Sequence, residues 1–163
     1  MTDKPSLRDM CFLALMGALM LASQVAMAAL PNIHIVALLI IITTLCFSWR
    51  ALFSVALFVL LEGLIYGFGI WWISYLYAWP LLVPIVIFFR KSDSALFWAV
   101  IAGAHGLFFG AMTAIPYLFI GGWEAAVSYW ISGIPFDLLH CAGNFVVTLI
   151  LLNPLLKLTR KLI

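Results

Sequence analysis

The chain has 163 residues, 67% of them hydrophobic and 9% charged, with a formal net charge of +2. A soluble domain carries about 25% charge, and a chain this short cannot enclose so much apolar surface in one core. Composition therefore excludes an ordinary water-soluble globule and makes lipid the surrounding solvent.

A membrane span needs about 20 mainly apolar residues. Lys4 and Arg8 precede the first such run, 7–30, which ends near Ala26-Met27-Ala28. That tripeptide looks like a signal-peptidase site, but the run is longer than a signal-peptide core and is read as a span. Pro31-Asn32 leads to the second span, 33–47, and Ser48-Trp49-Arg50 to the third, 51–68. Gly67-Phe68-Gly69 closes the third before a fourth at 70–89. Arg90-Lys91-Ser92-Asp93-Ser94 introduces the fifth, 95–119, and Gly121-Gly122-Trp123-Glu124 the sixth, 127–152. The second and third runs are short. No repeat, low-complexity tract or soluble domain interrupts the pattern. The expected fold is all-α: one domain, a bundle of six transmembrane helices.

The eight basic residues are Lys4, Arg8, Arg50, Arg90, Lys91, Lys157, Arg160 and Lys161. With six spans, all fall at the two termini or in the second and fourth connections. The positive-inside rule then predicts a multi-pass protein of the cell membrane with both termini cytoplasmic. Nine aromatics gather in the opposite, outer half: Trp71, Trp72, Tyr75, Tyr77, Trp79, Tyr117, Trp123, Tyr129 and Trp130. A headgroup belt accounts for some of them, and aromatic walls of a ligand cavity for others.

Ionisable groups within spans usually face a protein interior or a cavity. Here they are Glu62, His105, Asp137 and His140. Asp137, His140 and Asn144 share one helix face, about 15 to 20 Å below the outer end for the first two. The pattern fits a polar stripe along a cavity or on a subunit-docking face, or internal bonds that fix helix packing. Depth favours packing for His140 and Asn144, and a cavity for Asp137. Glu62 suits a snorkelling acid or a cavity rim equally. In the first span, Ala14-x-x-x-Ala18 and Ala22-x-x-x-Ala26 form a small-residue stripe that would let another helix approach.

Three single cysteines, Cys11, Cys46 and Cys141, have no spacing for a disulfide framework or a zinc site. The chain has no Walker A loop, no Gly-x-Ser-x-Gly, no HExxH and no carboxylate cluster for a metal. It is not expected to be an enzyme, to hold a cofactor or metal, or to bind nucleic acid. Pumping against a gradient would need a partner that supplies the energy.

Several segments together resemble the substrate-binding S components of energy-coupling factor (ECF) vitamin transporters. They are Ala14-x-x-x-Ala18, Leu30-Pro31-Asn32, the stretch from Glu62 to Pro80, Gly133-Ile-Pro-Phe-Asp-Leu-Leu-His140 with Gly143-Asn144, and Asn153-Pro154-Leu155. The resemblance covers nearly the whole chain and rests on order and spacing. It implies a subunit that binds a vitamin at its outer side and docks on a transmembrane coupling subunit driven by two ATPases. On docking, such subunits are thought to topple and carry the ligand inward. By position, it makes Ala14 and Ala18 docking residues, and the repeated small-residue spacing adds Ala22. Asn32, His34, Tyr66, Trp71, Trp72, Tyr75, Trp79, Tyr117, Trp123 and Trp130 become ligand-facing candidates, and Asp137 joins them from its place on the polar helix face.

No Lys or Arg lies in the outer half, which argues against a strongly anionic ligand. An aromatic, amide-lined cavity suits a large, nearly neutral one. Cobalamin or a related corrinoid is the first expectation, with pantothenate, queuosine-type bases and other vitamins open. Two rivals come from other classes: a haem-binding membrane cytochrome subunit using His105 and His140, and a purely structural assembly subunit.

Overall fold

The computed structural model describes residues 6–30 and 32–163. Lys4 of the N-terminal basic pair and Pro31 of the first break lie outside them. The described residues are mostly helical, joined by short turns, with no strand among them.

Helix α1 (Leu7–Ala26) starts at a reciprocal cap. The Ser6 hydroxyl accepts from the Asp9 N–H at 3.1 Å, and the Asp9 carboxylate accepts from the Ser6 N–H at 3.2 Å. Two donors that the first turn would leave orphaned are thereby satisfied. Asn32 then takes a left-handed backbone (φ 55°), a conformation asparagine tolerates better than most residues. α2 (Val36–Phe47) is buried from Val36 to Thr44 on every face, as an all-round apolar helix should be. It is the central post of the bundle. Thr43 and Thr44 donate their hydroxyls to the Leu39 and Ile40 carbonyls at 2.7 Å, so their polar atoms need nothing else in the core.

A 3-10 turn at Ser48–Arg50 leads into α3 (Ala51–Tyr66). Asp9 lies 3.6 Å from Arg50, the Leu13 carbonyl accepts from Ser54 at 2.7 Å, and Gln24 donates to Glu62 at 3.4 Å. Partners rise together along both helices. α1 and α3 therefore run parallel, with α2 reversed between them. α4 (Ile70–Ala78) and α5 (Leu82–Phe89) are separated at Trp79–Leu81, where Pro80 lacks the amide hydrogen a continuous helix would use. α6 (Ala95–Leu107) is capped by Ser94, which accepts from the Phe97 N–H at 3.2 Å.

α7 spans Phe109–Leu162 but bends at Gly121 and Gly122. Gly122 has φ 73°, which a residue without Cβ adopts at little cost. The limbs 109–120 and 123–162 fold back on each other, and α6 continues the pairing. Asn144 donates to the Ala102 carbonyl at 3.2 Å, and Asp137 accepts from the Gly110 N–H at 2.9 Å. Between these bonds, Gly106 lies against His140 so closely that a Cβ there would come 2.8 Å from the His140 carbonyl carbon and oxygen. Such backbone contact is what small residues permit between membrane helices.

Four helical stretches are long and apolar enough to cross a membrane: Leu7–Ala26, Val36–Tyr66, Ile70–Phe89 and Ala95–Leu162. The last would measure about 100 Å if straight, against a hydrocarbon core of about 30 Å. Its bend at Gly121–Gly122 divides it. Large apolar side chains such as Leu64, Phe88, Val100 and Ile150 point outward, consistent with a lipid surround. At one end of the bundle Arg8 donates to the Leu162 carbonyl, and α5 packs beside the Ser48–Arg50 turn.

Helix limits differ from the apolar runs in sequence. The first ends at Ala26 instead of residue 30, the second starts at Val36, and the third stops at Tyr66 before Gly67 (φ 87°). The 70–89 run is two helices, and 95–119 is interrupted at Phe108. The last helical limb exceeds 127–152 at both ends: it begins directly after the Gly121–Gly122 bend and continues through Pro154.

Gly106→Ala should lower the thermal midpoint of the detergent-solubilised protein, by overpacking worth about 1–3 kcal/mol. Gly133→Ala, whose added Cβ meets nothing within 4 Å, should not. Differential scanning fluorimetry of both variants checks this.

Candidate functional site

At the end of the bundle away from Arg8 and Leu162, the helices diverge around a cavity of about 600 Å³. Small-molecule sites span about 300–1,000 Å³. Gln24 and Met27 at the far end of α1, Asn32 and His34 before α2, and Tyr66 at the end of α3 form one side. Trp71, Tyr75 and Trp79 come from the fourth apolar run, and Phe109, Gly110 and Thr113 from the first limb of α7. Tyr129, Ser132, Phe136, Asp137 and His140 from the second limb complete the wall. Among the described residues lining it, none is Lys or Arg.

The floor combines aromatic rings with polar atoms. Trp79 is 1% exposed and His140 2%. Their ring centroids lie 6.2 Å apart, and Phe109 contacts both, at 4.9 Å from Trp79 and 5.0 Å from His140. His34 lies edge-on to His140 at 4.8 Å. Asp137 is buried, with Oδ1 accepting from the Gly110 N–H. Among the described residues, no hydrogen-bond partner reaches Asp137 Oδ2, His34 Nδ1 or either ring nitrogen of His140. A buried polar atom left unsatisfied costs about 1–3 kcal/mol, so the concentration of such atoms on one cavity floor is informative. The arrangement can hold a flat, uncharged or cationic molecule and exchange hydrogen bonds with its edge.

Of the eleven ligand-facing candidates, Asn32, His34, Tyr66, Trp71, Tyr75, Trp79 and Asp137 line the cavity. Asn32 also donates to the Phe136 carbonyl at 3.2 Å and ties the entry of α2 to α7. Four candidates lie elsewhere. Trp72 turns its indole away and donates to the Val59 carbonyl at 2.8 Å, clamping α4 to α3. Tyr117 stacks on Tyr129 with centroids 4.2 Å apart and reaches the cavity only through that neighbour. Trp123 and Trp130 border a separate apolar groove of about 220 Å³ with Ala114 and Leu118.

No family model, curated protein or solved structure matches the chain.

Two parts of the cavity floor carry little signal in the residues. Depth favoured a packing role for His140, yet both its ring nitrogens lack partners on the cavity floor. Its place three residues after Asp137 was the available signal. Phe109 and Gly110 lie in an apolar stretch that gives no such signal. Asn144 does serve packing, through Ala102. Glu62 is buried at 1% exposure beside Gln24, and does not snorkel. In α1, Gly17 faces α3, where a Cβ would fall 2.7 Å from the Ser54 carbonyl oxygen. Ala18 and Ala22 are exposed and Ala14 is half-buried, so this stripe looks outward.

Trp72→Phe removes a donor to a backbone carbonyl and should lower the thermal midpoint, at a cost of about 1 kcal/mol. Leu64→Ala, on the outward face of α3, should leave it within experimental scatter. An unchanged midpoint in Trp72→Phe would remove the clamp from the account.

Proposed function

We propose that this chain crosses the membrane six times with both termini cytoplasmic and serves as the substrate-binding subunit of an ECF-type vitamin importer. The observation that carries the reading is the cavity: roomy, aromatic, without a cationic side chain among its described lining residues, and floored by polar atoms that lack partners. It opens away from the end where Arg8, Arg50 and Leu162 meet. With every Lys and Arg on the cytoplasmic side, that opening faces outward. The parallel course of α1 and α3 and the fold-back within α7 support an alternating path of six crossings.

Energy comes from partners: a transmembrane coupling subunit and two ATPases. The outward-looking alanines of α1 supply a surface on which a second helix can pack closely. They support docking without being needed for the internal fold. The ligand is a vitamin. A cavity of about 600 Å³ favours one smaller than a corrinoid, which would be gripped by one edge with the remainder outside. A corrinoid and pantothenate both remain in the panel to be tried. Nothing in the geometry favours the haem reading. His105 bonds through Nε2 to the Ala78 carbonyl at 2.9 Å, and the rings of Trp79 and Phe109 contact both histidines.

Affinity purification from native membranes should bring down a coupling subunit and two ATPases. Ala18→Leu with Ala22→Leu, both exposed, should abolish that association and vitamin uptake while leaving the thermal midpoint unchanged. A chain that purifies alone and supports no uptake, or a purified protein with a Soret band, would contradict the reading.

A further inference from the structure

We propose that the cavity floor recognises a planar nitrogen heterocycle, uncharged or cationic, that presents an N–H donor beside an acceptor on one edge, as aminopyrimidines, purines and pterins do. The inference rests on the capture reading above and names the ligand class for that site. Three observations carry it. First, the unpartnered atoms are of both kinds: an ionised Asp137 Oδ2 can only accept, and His140 offers one donor and one acceptor in its neutral form. A ligand that satisfies them must carry donor and acceptor within one edge, because these residues share one floor.

Second, flat surfaces surround that edge. Tyr75 packs edge-on against Trp79 with centroids 5.8 Å apart, and Phe109 bridges Trp79 and His140. A planar ring can lie against such surfaces with a π-face covered and its edge on the polar atoms. A branched acyclic chain would leave the aromatic area poorly filled.

Third, the charge balance selects against anions. Asp137 contributes the acidic group at the floor, and no Lys or Arg lines the cavity among its described residues. A ligand carboxylate or phosphate would meet a carboxyl group without a cation to offset it. A cationic ring would find a charge partner, and a neutral one a hydrogen-bond acceptor.

The test is isothermal titration of purified protein with thiamine, adenine and biopterin, and with pantothenate, lipoate and cyanocobalamin. The expected result is binding of at least one of the first three and none of the two anions. Asp137→Asn should weaken that binding at least tenfold while keeping an acceptor for the Gly110 N–H. His140→Gln should do the same by a separate route and carries the test if Asp137→Asn does not fold. Leu64→Ala, on the outward face of α3, should bind as the parent does. Heterocycle binding that survives both substitutions overturns the inference. Binding of pantothenate, lipoate or cyanocobalamin alone also overturns it and leaves the capture reading intact. If none of the six binds, this inference falls, and association with ATPase subunits decides the capture reading separately.

Discussion

The arrangement depends on how closely α6 and the two limbs of α7 approach one another. Gly106 brings one backbone against the His140 carbonyl, and Gly110 donates its amide hydrogen to Asp137. In lipid, water does not press apolar helices together, so association relies on close packing and on bonds between helices. This seam supplies both. It also fixes the depth of Asp137 and His140 and sets their side chains beside Phe109 and Trp79. Widening it would therefore alter packing and cavity together.

The central post has the opposite character. From Val36 to Thr44, α2 presents only apolar groups and self-satisfied threonines, so it can be surrounded without leaving a polar atom stranded. The polar atoms without partners among the described residues include a group at the cavity floor, just beyond the start of this helix. A membrane protein that tolerates several such atoms in one place stores a preference for whatever satisfies them. The tolerance is local, and it coincides with the volume able to admit a ligand.

Much of this was legible in the residues. Apolar runs gave the helical class, and turn chemistry at Asn32, Gly67 and Gly122 marked breaks close to where the backbone takes positive φ. Aromatic clustering left belt and cavity wall open, and Trp71, Tyr75 and Trp79, named through the resemblance, line the cavity. Helix limits were less visible, because hydropathy does not distinguish a helix from an apolar turn such as Met27–Leu30. Trp71 and Trp72 could not be separated by composition either. They point to different sides of one short helix, and only the Val59 carbonyl shows which one is a clamp. The unpartnered nitrogens of His140 were not visible, because depth alone cannot reveal whether a neighbouring helix offers a partner. The α1 alanines were visible as a stripe, but their outward direction depends on Gly17 having taken the inward face.

The central claim is that the cavity opens to the outside and holds a small molecule there. Ser132 on its wall, changed to Cys in a background where Cys11, Cys46 and Cys141 are Ala, gives a direct probe. In intact cells, a membrane-impermeant maleimide should label this position, and vitamin-rich medium should protect it against labelling. Labelling only after permeabilisation, or labelling that no medium component slows, would contradict the account.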